Sequence, residues 1–341
     1  MDKEEIKKIS RITEVSHLNF LLGAGTSAPF ILPLPEIERK MNDAEESGNS
    51  EEALEYKREF FSKVMTPCLK IKSYSSTQNS GVEQGLVTTY DNYKLFLIEI
   101  TKYLLSRKST LLSKQVSIFT TNIDIFLEKV LEDMGVYYND GFIGHLHPSF
   151  RTSHFQTIVK KKSEYFEQQS EIPTFNLYKL HGSLTWDLKR DEKRIVYSDL
   201  SALEGMSELG NDDFNSRYAD LQIVNPSRKK FETSILESTY YELLRLYATE
   251  LEKENSLLVV AGFSFGDEHI LDITKRAMDS NPTLTVCIFS HTQERSEDYK
   301  NKFEGVRYIN NLNIIAPPDS EKIDLKWLSE NFISKLNQNY G

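Results

Sequence analysis

The sequence predicts an α/β protein built on a mostly parallel sheet, and three observations carry that expectation. Apolar runs of strand length recur at 18–22, within 116–124 and 175–186, and at 257–261 and 283–289. The segments between them hold helical periodicity and are long enough for crossovers. Several runs end in glycine, hydroxyl, amide or imidazole residues rather than in a hairpin turn. Strands alternating with helices in this way imply right-handed connections and parallel neighbours.

Composition sets the outer bounds. With 341 residues, 39% hydrophobic and 27% charged, the chain suits an ordinary globular protein. No apolar run approaches the roughly 20 residues of a membrane span. The start MDKEEIKKIS lacks the apolar segment of a signal peptide, so a cytoplasmic protein without membrane contact is expected. A net charge of −10 argues against a general nucleic-acid surface. The basic clusters Lys160–Lys162 and Arg228–Lys230 are either local phosphate sites or solvated loops. Two cysteines, Cys68 and Cys287, exclude a disulfide framework and a four-cysteine zinc site.

In chain order, Ile6, Ile9, Ile12 and Val15 fall at helical spacing and predict an amphipathic helix, packed near the first strand or serving as an interface. Leu18–Leu22 then reads as a buried strand running into Gly23 and Gly25, which allow a tight turn and close backbone approach to a ligand. Thr26 or Ser27 is placed to cap a following helix and leave N–H groups aimed at an anion. Gly23, Gly25 and Ala28 fit a loose dinucleotide fingerprint, although a plain structural turn explains the glycines equally. Pro33 and Pro35 interrupt the backbone, residues 36–70 are helix-rich with a polar joint at Ser47–Ser50, and 73–88 has loop composition. From Tyr90 to Ser106, Tyr93, Phe96, Leu97, Ile100 and Leu104 form one apolar helix face.

The stretch VSIFTTNID, 116–124, ends in hydroxyls, an amide and a carboxylate before a helix over Ile125–Met134. In an open α/β sheet these groups would point into the crevice that the glycine turn lines, whereas Asn122 or Asp124 could equally cap the helix. Residues 136–170 carry His145, His147 and His154, with no nearby acid or cysteine to complete a metal set. FNLYKLHGSLTW, 175–186, ends its strand at His181, whose ordinary pKa near 6.5 suits a general base. An acidic loop over 199–220, a short strand Leu221–Val224 and a turn at Asn225, Pro226 and Ser227 follow. A helix over Glu232–Lys253 leads into the strand Leu257–Ala261, which ends at Gly262 and Ser264. The strand Thr283–Phe289 ends at Ser290 and His291, and a helix over Lys322–Leu336 closes the chain.

Four strand ends therefore converge: GAGTS at 23–27, TTNID at 120–124, KLHGS at 179–183 and GFSFGDEHI at 262–270. In this order they resemble the sirtuin-like proteins, and more closely the branch of bacterial NAD-consuming proteins used in antiphage defence. The resemblance spans about residues 17–291. TTNID lies between the sirtuin form with Gln second and the defence-branch form with Tyr fourth, while KLHGS and GxSFGD point to the defence branch. Sirtuin deacylases carry a zinc module with two cysteine pairs, which two cysteines cannot build, so no metal is expected and protein deacylation fits poorly.

The resemblance implies a single Rossmann-like catalytic domain over 1–341, with a helix-rich insertion at about 36–106 and an irregular one at about 136–220. It implies NAD as substrate. Asn122 would orient the ribose and the attacking water, Asp124 would support that geometry, and His181 would bond a ribose hydroxyl or act as base. Gly23, Ala24, Gly25, Thr26 and Ser27 would cradle the pyrophosphate, Thr121 would join the cofactor site, and Gly262 and Ser264 would face the adenosine half. Phe30 would cover the nicotinamide, and Asp267 and His269 match the family segment or simply cap the next helix. The implied activity is an NAD glycohydrolase releasing nicotinamide and ADP-ribose, a triggered NAD-depleting effector. An ADP-ribosyl transferase, a deacylase or a non-catalytic NAD-sensing scaffold are the alternatives. A homo-oligomer paired with a HerA-type hexameric ATPase is the implied assembly.

Overall fold

The computed structural model describes residues 9, 11–77, 81–107, 112–162, 169–224, 234–318 and 321–338. Seven strands form the central sheet: β1 (His17–Leu22), β2 (Gln115–Thr120), β3 (Tyr138–Asn139), β4 (Thr174–Lys179), β5 (Ser256–Ala261), β6 (Thr285–Phe289) and β7 (Leu312–Ile315). They lie in the order β7-β6-β5-β1-β2-β4-β3, and every neighbouring pair is parallel. The expected parallel α/β architecture is thus present. From β1 the chain fills one side of the sheet, then crosses to β5 and fills the other. The reversal falls between β1 and β5, where open α/β sheets form their ligand crevice.

Strand alternation sorts the apolar residues onto two faces. Leu18, Phe20, Leu22, Ile118, Leu177 and Val259 pack in one core cluster, and Leu21, Phe119, Tyr178, Leu258, Val260 and Ile288 in the other. Because helices cover both faces, the middle strands read as continuous apolar runs, which is why they were legible. The first face is covered by α1 (Pro35–Ser47), α2 (Ser50–Phe60), α3 (Pro67–Ser73), α4 (Gln84–Ser106) and α5 (Phe126–Met134), together with the closing helical segments from Leu325 to Gln338. After α6 (Asn211–Asp220), the helices α7 (Ser234–Glu252), α8 (Glu268–Ser280) and α9 (Gln293–Lys302) cover the second.

Several expectations need correction. Pro35 begins α1 at its first turn, where its missing N–H costs nothing, instead of interrupting the backbone. The joint at 47–50 is real, with Gly48 ending α1 and Asn49 capping α2. The helix expected from Tyr90 starts at Gln84, because Leu86 and Thr89 are buried with the rest of its inner face. The acidic loop over 199–220 contains α6, whose Phe214 and Tyr218, four residues apart, are both buried. Leu221–Val224 forms no strand, only a bridge from Ile223 to Gly182. Other features went unread, two of them large. These are the edge strand β7, half-exposed and polar at Asn313, and a four-stranded antiparallel sheet from Phe142–Ile143, Ser149–Phe150, Trp186–Lys189 and Arg194–Tyr197.

At the N-terminal end residues 11–14 are helical, Ile9 is buried in the core and Val15 is 58% exposed. Ile6, the turn at Asn225–Ser227 and the cluster Arg228–Lys230 lie outside the described residues. Lys160–Lys162 is an exposed strand.

Candidate active site

The carboxyl ends of β5, β1, β2 and β4 stand side by side and carry the four motifs. At β1 the expected capped helix is absent. Ala24–Ser27 makes one turn of 3-10 helix without a side-chain cap, and the next helix begins only at Pro35. The N–H groups of Gly23, Gly25 and Thr26 are committed to the carbonyls of Ala261, Gly262 and Gly23 at 3.1, 3.0 and 2.9 Å. They are therefore closed to a pyrophosphate. The glycines serve loop packing: a Cβ on Gly23 would come 2.6 Å from the Gly262 oxygen, and one on Gly25 2.9 Å from the Gly262 Cα. Gly262 itself has φ +63°, and its own Cβ would meet the Thr26 nitrogen at 2.6 Å. Two loops thus interlock backbone to backbone, and only glycine permits it.

This packing turns Thr26 and Ser27 inward, into a buried polar cluster with residues from β2 and α4. Ser27 Oγ donates to Asp124 Oδ2 at 2.6 Å, and Thr26 Oγ1 donates to the Gly23 carbonyl at 2.8 Å. Each hydroxyl has one proton, so both can only accept from their remaining neighbours. Asn122 Nδ2 donates to them at 3.0 Å (Ser27) and 3.2 Å (Thr26), and reaches the Tyr93 hydroxyl at 3.4 Å. The amide orientation follows from this proton count, since turning the carbonyl oxygen towards two spent hydroxyls would set acceptor against acceptor. Asn122 Oδ1 is left buried without a partner, on a residue 8% exposed. Asp124 uses its other oxygen to accept the Phe126 N–H at 3.1 Å, so it caps α5 and anchors Ser27 at once. Thr120 Oγ1 accepts the Asn122 N–H at 3.0 Å, fixing the turn that presents the amide.

His181 follows β4 in a turn closed by Gly182, which has φ +75° and whose Cβ would lie 2.2 Å from the Gln222 oxygen. Its Nε2 lies 2.9 Å from Asp267 Oδ2. Burial pushes the Asp267 carboxyl up. The bond and charge of His181, with the N–H groups of Ile270 and His269, outweigh this and hold it below its ordinary range. An ionised Asp267 accepts, so Nε2 carries the proton and Nδ1 remains as the basic nitrogen. In the sheet β4 and β5 are separated by β1 and β2, roughly 14 Å at ordinary strand spacing. The His181–Asp267 bond therefore joins the strand ends on either side of β1 and β2, arching across their carboxyl ends. Burial pushes the carboxyl of Glu38, on α1, above its usual range, and nearby His181 draws it back.

Beneath the cluster, Lys179 is 3% exposed; its ammonium donates to the Asp124 carbonyl and pairs with Glu128 Oε1 at 3.1 Å. Burial raises the Glu128 carboxyl against the pull of Lys179. Cys68 is buried beside them, and burial pushes its thiol well up.

The sequence-derived residues thus divide. Thr26, Ser27, Asn122 and Asp124 meet in one hydrogen-bonded cluster, and His181 pairs with Asp267. Gly23, Gly25 and Gly262 shape the loops, while Ala24 and Ser264 are exposed and Thr121 is half-buried with its N–H on the Leu22 carbonyl. Phe30 sets its ring edge-on to Phe126, centroids 6.0 Å apart. Asp267 does cap α8, through His269 and Ile270. Its second role at His181, and Tyr93, Lys179 and Glu38, were not foreseen. Tyr93 was hidden because its ring completes an apolar helix face, and only its hydroxyl belongs to the site. Among the described residues no group of three His, Cys, Asp or Glu side chains is placed to hold a metal ion, and no helix is long and apolar enough to cross a membrane.

A helix-covered parallel sheet with polar clusters along its carboxyl edge is the architecture of a nucleotide-binding α/β protein. The chain belongs to the SIR2-like domain family, whose family model matches residues 116–314. SIR2-like domains use NAD. The match opens at β2, so it includes the Asn122, His181 and Gly262 strand ends and leaves the glycine loop and α4 outside. A search of curated proteins returns no match.

Proposed function

We propose that this protein is an NAD glycohydrolase that cleaves NAD to nicotinamide and ADP-ribose, acting as a triggered NAD-depleting effector of antiphage defence. The observation that carries the reading is the buried, unpartnered Asn122 Oδ1, held turned away from hydroxyls whose protons are already committed. In the reaction the ribose C1′–N bond breaks, nicotinamide leaves with the electron pair, and positive charge develops on the ribose. An oriented carbonyl dipole stabilises nearby positive charge and accepts a hydrogen bond from the attacking water or a ribose hydroxyl. As water bonds to C1′ its proton must leave, and His181 Nδ1 is the acceptor, with Asp267 holding the ring and stabilising the imidazolium.

The defence role, a homo-oligomeric state and a separate partner such as a HerA-type ATPase rest on the motif resemblance. The test is to incubate purified protein with NAD and resolve nicotinamide, ADP-ribose and labelled protein. The reading expects the two small products in equal amounts. Label on protein indicates an ADP-ribosyl transferase, and NAD binding without nicotinamide release indicates a sensing scaffold.

A further inference from the structure

Tyr93 sits within α4, outside the family-matched residues, yet its hydroxyl lies inside the polar cluster. It is 2.8 Å from Thr26 Oγ1, 3.2 Å from Ser27 Oγ and 3.4 Å from Asn122 Nδ2. The ring is 1% exposed and stacks on Phe126, 5.3 Å between centroids and 13° between planes. With the Thr26 and Ser27 protons directed to Gly23 and Asp124, the phenol is the remaining hydroxyl donor, and its shortest contact commits it to Thr26. Burial, then the charge of Asp124, keep the phenol protonated. The same oxygen offers a lone pair to the Asn122 amide. One side chain from the helical insertion therefore touches every hydroxyl that faces the amide.

We infer that Tyr93 is a positioning residue, which holds Thr26 and the Asn122 amide in register so that Asn122 Oδ1 stays aimed at the reacting centre. The inference rests on the proposed NAD cleavage for its kinetic consequence, but not for its structural one. It also makes α4 a mechanical partner of the site: a displacement of this helix would be felt first at the Asn122 amide.

The test is Tyr93→Phe, which keeps the stacked ring and removes the hydroxyl. The expected result is a KM for NAD within about twofold and a kcat lowered about ten- to a hundredfold. An unchanged kcat would overturn the inference. A second readout needs no turnover: the side-chain amide protons of Asn122, identified by their loss in Asn122→Ala, should shift and exchange with solvent faster in Tyr93→Phe. An unchanged amide signal overturns the inference even if the protein does not cleave NAD. A shifted signal in an inactive protein leaves the inference standing and removes the glycohydrolase reading. Should Tyr93→Phe not fold, Thr26→Val removes the acceptor of the phenol and is judged by the same amide signal.

Discussion

At the residue scale, two side chains carry the proposed chemistry, and their surroundings predict different side effects. Asn122→Ala should abolish NAD cleavage and lower stability by about 1–3 kcal/mol, because three acceptors lose a buried donor. His181→Ala should abolish cleavage with a smaller change in thermal midpoint, since its side chain is 21% exposed. Paired turnover and thermal melts check both. Asp267→Asn separates its two roles, because asparagine caps helices as well as aspartate. We expect the melt to hold within a degree or two while kcat falls, whereas Asp267→Ala should cost about 1 kcal/mol more. The carboxyl is held below its usual value near 3.8, so the stability it contributes is present above that value and lost as the pH falls below it through the folded-state range. Asp267→Asn should remove that part of the acid transition. Asn122 and His181 were legible because polar groups ending apolar strands stand out. The Asn122 amide orientation was not, since it depends on which hydroxyl protons are committed across three elements.

At the element scale, the strands are joined to the site by backbone packing and one buried ion pair. Gly25 reads in the sequence as part of a pyrophosphate cradle, but in the structure a Cβ added there, as in Gly25→Val, would run into the Gly262 backbone. We therefore expect loss of soluble, cooperatively folded protein together with loss of NAD binding, seen by melting and calorimetry. Lys179→Met should destabilise by about 3–5 kcal/mol, because it leaves Glu128 uncompensated in the interior, and adding Glu128→Gln should recover much of that. Chemical denaturation of the single and double variants checks it. The strands β1, β2, β4, β5 and β6 were readable because burial on both faces makes them predominantly apolar, with only a few buried polar residues such as Asn19, Ser117 and Asn176. The four-stranded antiparallel sheet was not, since its strands are two to four residues long and partly exposed, too short to show a period.

At the scale of the whole molecule, the reversal of strand order at β1 and β5 places glycine loops where a nucleotide crevice is expected, and the His181–Asp267 arch spans it. Parallel order was legible from strand–helix alternation, but that arch could not be read from spacing, because it joins loops 86 residues apart in sequence. The N-terminal stripe was weighed between core and interface; Ile9 packs in the core while Val15 is 58% exposed, so the described part of the stripe divides between the two. The central claim is that Asn122 and His181 form one NAD-cleaving site. Its most direct measurement is nicotinamide release from NAD by the wild type, Asn122→Ala and His181→Ala, each verified as folded, alone and with any co-encoded partner. The account predicts nicotinamide with matching ADP-ribose from the wild type and none above background from either variant. Turnover retained in both folded variants, or none from the wild type under any of these conditions, would contradict it.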